Sequence, residues 1–107
     1  MRIIAKKTLN DFSASHPRAK GSLDSWFIEA KHAVWKTPSD IKSRFPSVSF
    51  LKDNRVFFNI SGNKYRVLCR IRYESGIIFI LFVGTHADYD KIDATNHRYR
   101  SKLGGTI

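Results

Sequence analysis

The segment from Arg55 to Gly84 most strongly limits how this chain can fold, because it divides into three strand-like stretches separated by short turns. The turns are "SGN" at 61–63 and "ESG" at 74–76, of the kind that joins the strands of a hairpin. In the first two stretches apolar side chains recur at every second position, which is the repeat of a β-strand. This half of the chain is therefore predicted to be an antiparallel meander.

The meander is predicted to have one apolar face and one basic face. The third stretch, "IIFILFVG", is apolar up to its final glycine, so we expect a central strand that is covered on both sides. On the first strand the apolar face carries Val56, Phe58 and Ile60. On the second strand the apolar face carries Tyr65, Val67, Cys69, Ile71 and Tyr73. The basic face carries Lys64, Arg66, Arg70 and Arg72, with Leu68 among them.

The N-terminal half is predicted to supply one strand and two helices. The start of "MRIIAKK" is β-branched and predicts a short strand. Helical spacing follows, and His16-Pro17 interrupt it, since proline suits only the first turn of a helix. "TPSDIKSRFPS" predicts a loop with room for one helical turn. The second helix has an apolar stripe formed by Leu23, Trp26, Phe27, Ala30 and Val34.

Taken in order, these elements predict an α+β fold. We expect an antiparallel sheet of about four strands with the two N-terminal helices packed on one face, which leaves the arginines on the other face. A chain of 107 residues that is 42% hydrophobic is long enough for one core. The prediction is therefore a single domain over residues 1–107.

The charge balance predicts a polyanionic partner. Nineteen lysines and arginines outnumber nine aspartates and glutamates, which gives a formal net charge of +10. Nucleic acid or an acidic protein surface fits this excess. The sequence contains neither a signal peptide pattern nor an apolar stretch long enough for a membrane span, and its single cysteine, Cys69, excludes an internal disulfide. We expect a soluble cytoplasmic protein with no membrane partner.

Arg66, Arg70 and Arg72 form a row of guanidinium groups on the basic face. Alternate positions on a strand lie about 7 Å apart, close to the spacing of successive phosphates on an extended RNA strand. A guanidinium can hold a phosphate through two hydrogen bonds. The same row also fits a solvated strand face that keeps the sheet soluble. The residue types alone leave both interpretations open.

A second candidate site follows the third strand, in the sequence "VGTHADYDKI". His86 can transfer a proton near neutral pH. In a helical turn it shares a face with Tyr89, which can stack on a base or donate a proton, and with Asp90. This stretch therefore has the residue types of an acid–base site.

The same stretch also fits a helix cap. Thr85 can cap a short helix that begins at His86, and Asp88 is then the favoured acid of its first turn. Both interpretations can hold together, because a cap fixes the direction in which the side chains project.

The elements "GNKYR" at 62–66 and "THADYDKI" at 85–92, held apart by two strands, resemble the HigB family of bacterial toxins. This family is part of the wider RelE-like group of messenger-RNA interferases. The resemblance implies a RelE-like microbial RNase fold with an RNA groove opposite the helices. It implies an endoribonuclease, independent of metal or other cofactor, that cuts mRNA in the A site of the 70S ribosome through 2′-hydroxyl attack. It also implies a cognate helix-turn-helix antitoxin similar to HigA.

The resemblance implies roles for individual residues. Arg66 is expected to stabilise the charged phosphorane, and His86 is the expected proton-transfer group. Tyr89 is expected to stack on a base near the cut, and Asp90 to orient His86 or a basic neighbour. The expected RNA-binding residues are Asn63, Lys64, Arg70, Lys91 and Arg98.

Two other functions fit the same residues. A non-catalytic RNA-binding or ribosome-binding module would use the basic face through phosphate contacts alone, with strong salt dependence. An inactive relative would bind an antitoxin and cleave nothing. RNA binding without new RNA ends would favour the first of these.

Overall fold

The computed structural model describes residues 1–62, 64–90, 92–93 and 98–99. A 3₁₀ turn at Pro17–Ala19 separates the first two helices, at the interruption that the sequence predicts. None of the helices in these ranges is long and apolar enough to cross a bilayer. The elements are β1 (Arg2–Ile4), α1 (Lys6–Ser15), α2 (Lys20–His32), α3 (Pro38–Arg44), β2 (Ser49–Phe50), β3 (Arg55–Ile60), β4 (Tyr65–Arg72), β5 (Ile77–Thr85), α4 (His86–Asp90), β6 (Ile92–Asp93) and β7 (Arg98–Tyr99).

Five strands of the described residues form one sheet in the order β1-β5-β4-β3-β2. The strands from β2 to β5 pair antiparallel, which confirms the predicted meander. β1 pairs parallel with β5 at one edge of the sheet. The α+β class is confirmed, while the expected four antiparallel strands become a five-stranded, mostly antiparallel sheet. A separate ladder joins β6 and β7.

The turn between β3 and β4 sets the register of the meander. Ser61 and Gly62 both have positive φ, 53° and 67°, a backbone region that glycine adopts without steric cost. Ile60 then lies opposite Tyr65, and Arg55 lies opposite Arg70. The prediction of a tight turn at this point is confirmed.

The core lies between the sheet and the helices α1 and α2. Trp26 of α2 is buried, and its ring lies 5.2 Å from the Phe58 ring of β3 in an edge contact. From β4, the side chains of Val67, Cys69 and Ile71 are fully buried on this face. The apolar faces predicted for β3 and β4 therefore point toward the helices, and the arginines point away from them.

The predicted stripe of α2 is correct only as far as Ala30. The helix ends at His32, and Ala33 adopts an extended backbone, so Val34 leaves the stripe and is 73% exposed. Apolar spacing predicts which face of a helix is buried, but it does not mark the residue at which the helix ends.

α3 lies where the sequence predicts a loop with room for one helical turn. Thr37 Oγ1 accepts a hydrogen bond from Asp40 N over 3.3 Å, and Asp40 Oδ2 accepts one from Thr37 N over 3.1 Å. This reciprocal pair is a capping box, here called the α3 capping box (Thr37 and Asp40). Pro38 occupies the first helical position, and Ile41 anchors the helix in the core.

β5 is an interior strand, but only one of its faces is covered. Ile78 and Ile80 are buried against the helices, whereas Ile77, Phe79 and Leu81 on the opposite face are half-exposed. The expectation of a strand covered on both sides is therefore wrong for the described part of the chain. The apolar side chains of this second face form a surface instead.

Candidate active site

The sheet face opposite α1 and α2 combines charge with apolar surface. We call it the arginine face. Leu68, in the middle of its β4 row, is fully buried between its cross-strand partners Phe57 and Phe82. Its β4 arginines are the exposed Arg70 and Arg72 and the half-buried Arg66. Guanidinium groups therefore lie beside the partly exposed rings of Phe57 and Phe82, a combination that can bind phosphates and stack on bases.

Arg66 lies at the end of the arginine face nearest α4. Its Cζ is 4.6 Å from the centre of the Phe57 ring, a cation–π contact. Its Nη2 donates a hydrogen bond to His86 Nε2 over 3.0 Å. A guanidinium has only donors, so His86 Nε2 must accept, which requires a neutral imidazole with its proton on Nδ1. The pair therefore places a permanent cation beside a proton acceptor.

The start of α4 is fixed by a second capping box, here called the α4 capping box (Thr85 and Asp88). Thr85 N donates to Asp88 Oδ2, and Asp88 N donates to Thr85 Oγ1, each over 3.1 Å. His86 N donates to Lys64 O over 3.3 Å, which ties the helix to the start of β4. The predicted cap at Thr85 is confirmed, and the same cap presents a candidate catalytic histidine.

A β-bulge in β5 brings α4 to the arginine face. Cys69 lies opposite Ile80, but Leu68 lies opposite Phe82, so Leu81 is an extra residue. Beyond the bulge the two faces of β5 exchange, and Gly84 comes opposite Arg66. The sequence gives no sign of this bulge, because every residue around it is apolar.

The remaining predicted site residues fall into three groups. Lys64 and Arg70 are exposed, and Arg70 lines a cavity of about 310 Å³ with Arg72, Phe79 and Leu81. The backbones of Tyr89 and Asp90 are in α4, and that of Arg98 is in β7; the roles predicted for these three side chains lie outside what is described. Asn63 and Lys91 lie outside the described residues.

The described residues also bear on two simpler kinds of reactive site. Among them, no three His, Cys, Asp or Glu side chains are grouped so that they could hold a metal ion. Burial raises the pKa of the Cys69 thiol, so the thiol stays protonated and behaves as a small core residue, as the sequence predicts. Among the described residues, the Arg66–His86 pair is therefore a stronger candidate for a reactive site than a metal site or the Cys69 thiol.

Sequence reasoning missed three parts of this site. Phe57, beneath Arg66, looked like one more residue of an apolar strand, and Gly84 looked like a strand end. Asp88 was identified only as a first-turn acid. The available signal was the spacing of "THAD", in which a threonine and an acid three residues apart bracket a histidine.

Comparison with known proteins finds one family model and several relatives that share its name. Residues 19–92 match the family model described as "HigB_toxin, RelE-like toxic component of a toxin-antitoxin system". The mRNA interferase toxin HigB of Escherichia coli K12 is 33% identical over 104 residues, which cover 95% of this chain and 99% of the relative. The mRNA interferase HigB of Escherichia coli O6:H1 is 26% identical over 94 residues, covering 86% and 91%.

Proposed function

This chain belongs to the HigB family of RelE-like toxins, and on that premise we propose that it is an mRNA interferase, the endoribonuclease toxin of a toxin–antitoxin system. The observation that carries the proposal is the 3.0 Å contact between Arg66 and His86 on a face lined with arginines and aromatic rings. This contact places a cation that can bind phosphate, Arg66, next to a proton acceptor, His86, on the arginine face.

The geometry fits cleavage by the RNA's own 2′-hydroxyl. As the scissile phosphate binds Arg66, the guanidinium releases His86 Nε2, which then accepts the 2′-hydroxyl proton as the 2′-oxygen attacks the adjacent phosphorus. Arg66 stabilises the negative charge that develops on the phosphorane oxygens. The bond from phosphorus to the 5′-oxygen then breaks, which leaves a 2′,3′-cyclic phosphate, and the departing 5′-oxygen takes a proton from water. DNA lacks the nucleophile and is not a substrate.

The arginine face binds the RNA on either side of the cut. Arg70 lies four residues along β4 from Arg66, about 13 Å on an extended strand, so it contacts a phosphate about two nucleotides from the cut. Lys64 contacts the backbone at the other side, and Tyr89 stacks on a base. Asp90 orients His86 or a basic neighbour. Further RNA contacts come from Asn63, Lys91 and Arg98.

The cellular partners follow from the same premise. The mRNA is cut in the A site of the 70S ribosome, without a metal or other cofactor, by one domain that spans residues 1–107. A helix-turn-helix antitoxin similar to HigA neutralises the toxin in the cytoplasm. Co-purification with the protein from the adjacent reading frame tests this partner directly.

Growth arrest and RNA cleavage test the reaction. Arg66→Ala and His86→Ala should each lower cleavage by about 10²-fold or more, because they remove charge stabilisation and proton transfer. The measurement is mapping of new RNA ends in translating extracts. Growth arrest on expression of each variant is the parallel readout in cells.

Matched controls use the same residue types elsewhere. Arg44→Ala removes an exposed arginine that pairs with Glu29, and His32→Ala removes an exposed histidine of α2. Both controls should cleave like the unaltered protein. If folded Arg66→Ala and His86→Ala variants stay fully toxic, the assigned site is wrong. If the unaltered protein binds ribosomes or RNA and yields no new ends, it is a non-catalytic binding module.

A further inference from the structure

We propose that Asp88 is a positioning residue, which aims His86 Nε2 at Arg66 through the α4 capping box without touching the RNA itself. The inference rests on the proposed function, and it adds a residue that neither the acid–base residue types nor the family description assigns. Its basis is the reciprocal pair of 3.1 Å hydrogen bonds with Thr85, the residue directly before His86.

The capping box fixes the backbone on both sides of His86. Asp88 Oδ2 accepts a hydrogen bond from the backbone N–H of Thr85, the residue before His86. Asp88 N donates a hydrogen bond to the side chain of the same threonine. His86 N is held separately by Lys64 O. With the backbone on either side constrained, the direction of the His86 Cα–Cβ bond is set, and from it the imidazole reaches Arg66.

Asp88 also packs against β5, the strand that pairs with Arg66. Gly84 is the cross-strand partner of Arg66, and a Cβ built on it would lie 2.9 Å from Asp88 Cβ and 2.5 Å from Phe82 Cζ. Real Cβ atoms essentially never approach other atoms this closely, so a side chain at this position would force Phe82 and Asp88 to move. Because Gly84 has no side chain, Asp88 and Phe82 can pack directly against its backbone, and α4 can lie close to the arginine face.

The bonding of Asp88 distinguishes positioning from catalysis. Its Oδ2 is engaged by the Thr85 N–H, a bond that needs an acceptor oxygen but not a negative charge. Asparagine keeps such an oxygen, whereas alanine does not. A positioning role therefore predicts that Asp88→Asn works and Asp88→Ala fails, while a catalytic carboxylate predicts that both fail.

The test measures single-turnover cleavage of mRNA on programmed ribosomes by the full-length protein. Asp88→Ala should lower the maximal rate by at least about tenfold, since small misplacements of a catalytic group are costly. The ribosome concentration at half-maximal rate should stay within about twofold, because phosphate binding by the arginine face is intact. Asp88→Asn should recover most of the rate.

The α3 capping box supplies the matched control. Asp40→Ala removes the same acid from the same kind of box, on α3 rather than α4, and should leave the cleavage rate unchanged. Equal losses in Asp40→Ala and Asp88→Ala would overturn the inference, because the effect would then be one of stability. An unimpaired Asp88→Ala, or an inactive Asp88→Asn, would overturn it as well.

A measurement without RNA keeps the inference separate from the proposed function. The imidazole nitrogens of His86 can be followed by NMR, with His32 as the internal reference. Asp88→Ala should shift the His86 Nε2 signal and leave that of His32 in place, whereas Asp88→Asn should leave both. An unmoved His86 signal in a folded Asp88→Ala overturns the inference. Absence of cleavage by the unaltered protein instead overturns the proposed function.

If Asp88→Ala does not fold, two variants of Thr85 replace it. Thr85→Val removes the hydroxyl of the capping box and should act as Asp88→Ala does, whereas Thr85→Ser keeps the hydroxyl and should act as Asp88→Asn does.

Discussion

The two capping boxes of this chain share one chemistry and serve different ends. Both join a threonine to an aspartate three residues later, with reciprocal bonds of 3.1 to 3.3 Å. In "TPSD" the first helical residue is Pro38, whose side chain carries no reactive group. In "THAD" it is His86, which reaches Arg66. The motif itself provides only a fixed direction, and the residue placed after the threonine determines what that direction is used for.

The surroundings of the two boxes explain why only one carries chemistry. The α3 capping box follows a loop, and Asp40 Oδ2 also accepts a bond from Lys36 N. The α4 capping box follows the end of a central strand whose neighbour bears the arginines. Because antiparallel pairing places Gly84 opposite Arg66, the second box opens onto a charged surface. Position in the sheet, rather than the local motif, makes the difference.

Among changes that test the comparison of the two boxes, the largest effect should come from the glycine beneath the α4 capping box. Gly84→Ala should cost about 1–3 kcal/mol of unfolding free energy through overpacking. It should also lower cleavage by at least about tenfold, because Asp88 must move and His86 moves with it. Thermal unfolding and ribosome-dependent cleavage measure the two effects.

Gly21→Ala is the matched control for that change. Nothing lies within 4 Å of a Cβ at Gly21, and this residue is in α2, where alanine is the better helix former. The control should raise stability by up to about 1 kcal/mol and leave cleavage unchanged. A Gly84→Ala variant that cleaves normally would show that the close approach of Asp88 does not direct His86.

A smaller effect should distinguish the stability of the fold from the orientation of His86. Thr37→Ala and Thr85→Ala each remove the hydroxyl of one capping box and should cost about 1 kcal/mol each. In a chain of this size that corresponds to a fall in melting temperature of about 4–8 °C. Only Thr85→Ala should also slow cleavage. If Thr37→Ala slows it equally, the two boxes do not differ in function, and the contrast between them fails.

Much of this architecture could be predicted from local patterns. Period-two alternation gave the faces of β3 and β4, and Thr85 directly before His86 gave the cap. Three features could not be predicted because they depend on long-range pairing. These are the parallel partner of β1, the bulge that makes Leu81 an extra residue, and the resulting contact between Arg66 and His86. An all-apolar strand has no period, so a shift of one residue within β5 leaves no trace in the sequence.

The smallest expected effect concerns Cys69, whose buried thiol can report on both boxes at once. Burial raises the pKa of this thiol above the value of about 8.5 that it has when exposed. Its contribution to stability is therefore complete below about pH 8.5 and declines as the pH rises above that value. A thiol reagent such as DTNB should label the folded protein only through its opened state.

Labelling of Cys69 then compares the two boxes on one scale. Thr37→Ala and Thr85→Ala should accelerate DTNB labelling by the same factor, about fivefold for a loss of 1 kcal/mol. The reaction is followed by absorbance at pH 8, where the folded thiol is protonated and an opened one is partly ionised. Equal acceleration with unequal cleavage would separate the aiming of His86 from global stability. Faster labelling in Thr85→Ala alone would instead tie its loss of cleavage to the opening of β4 and β5.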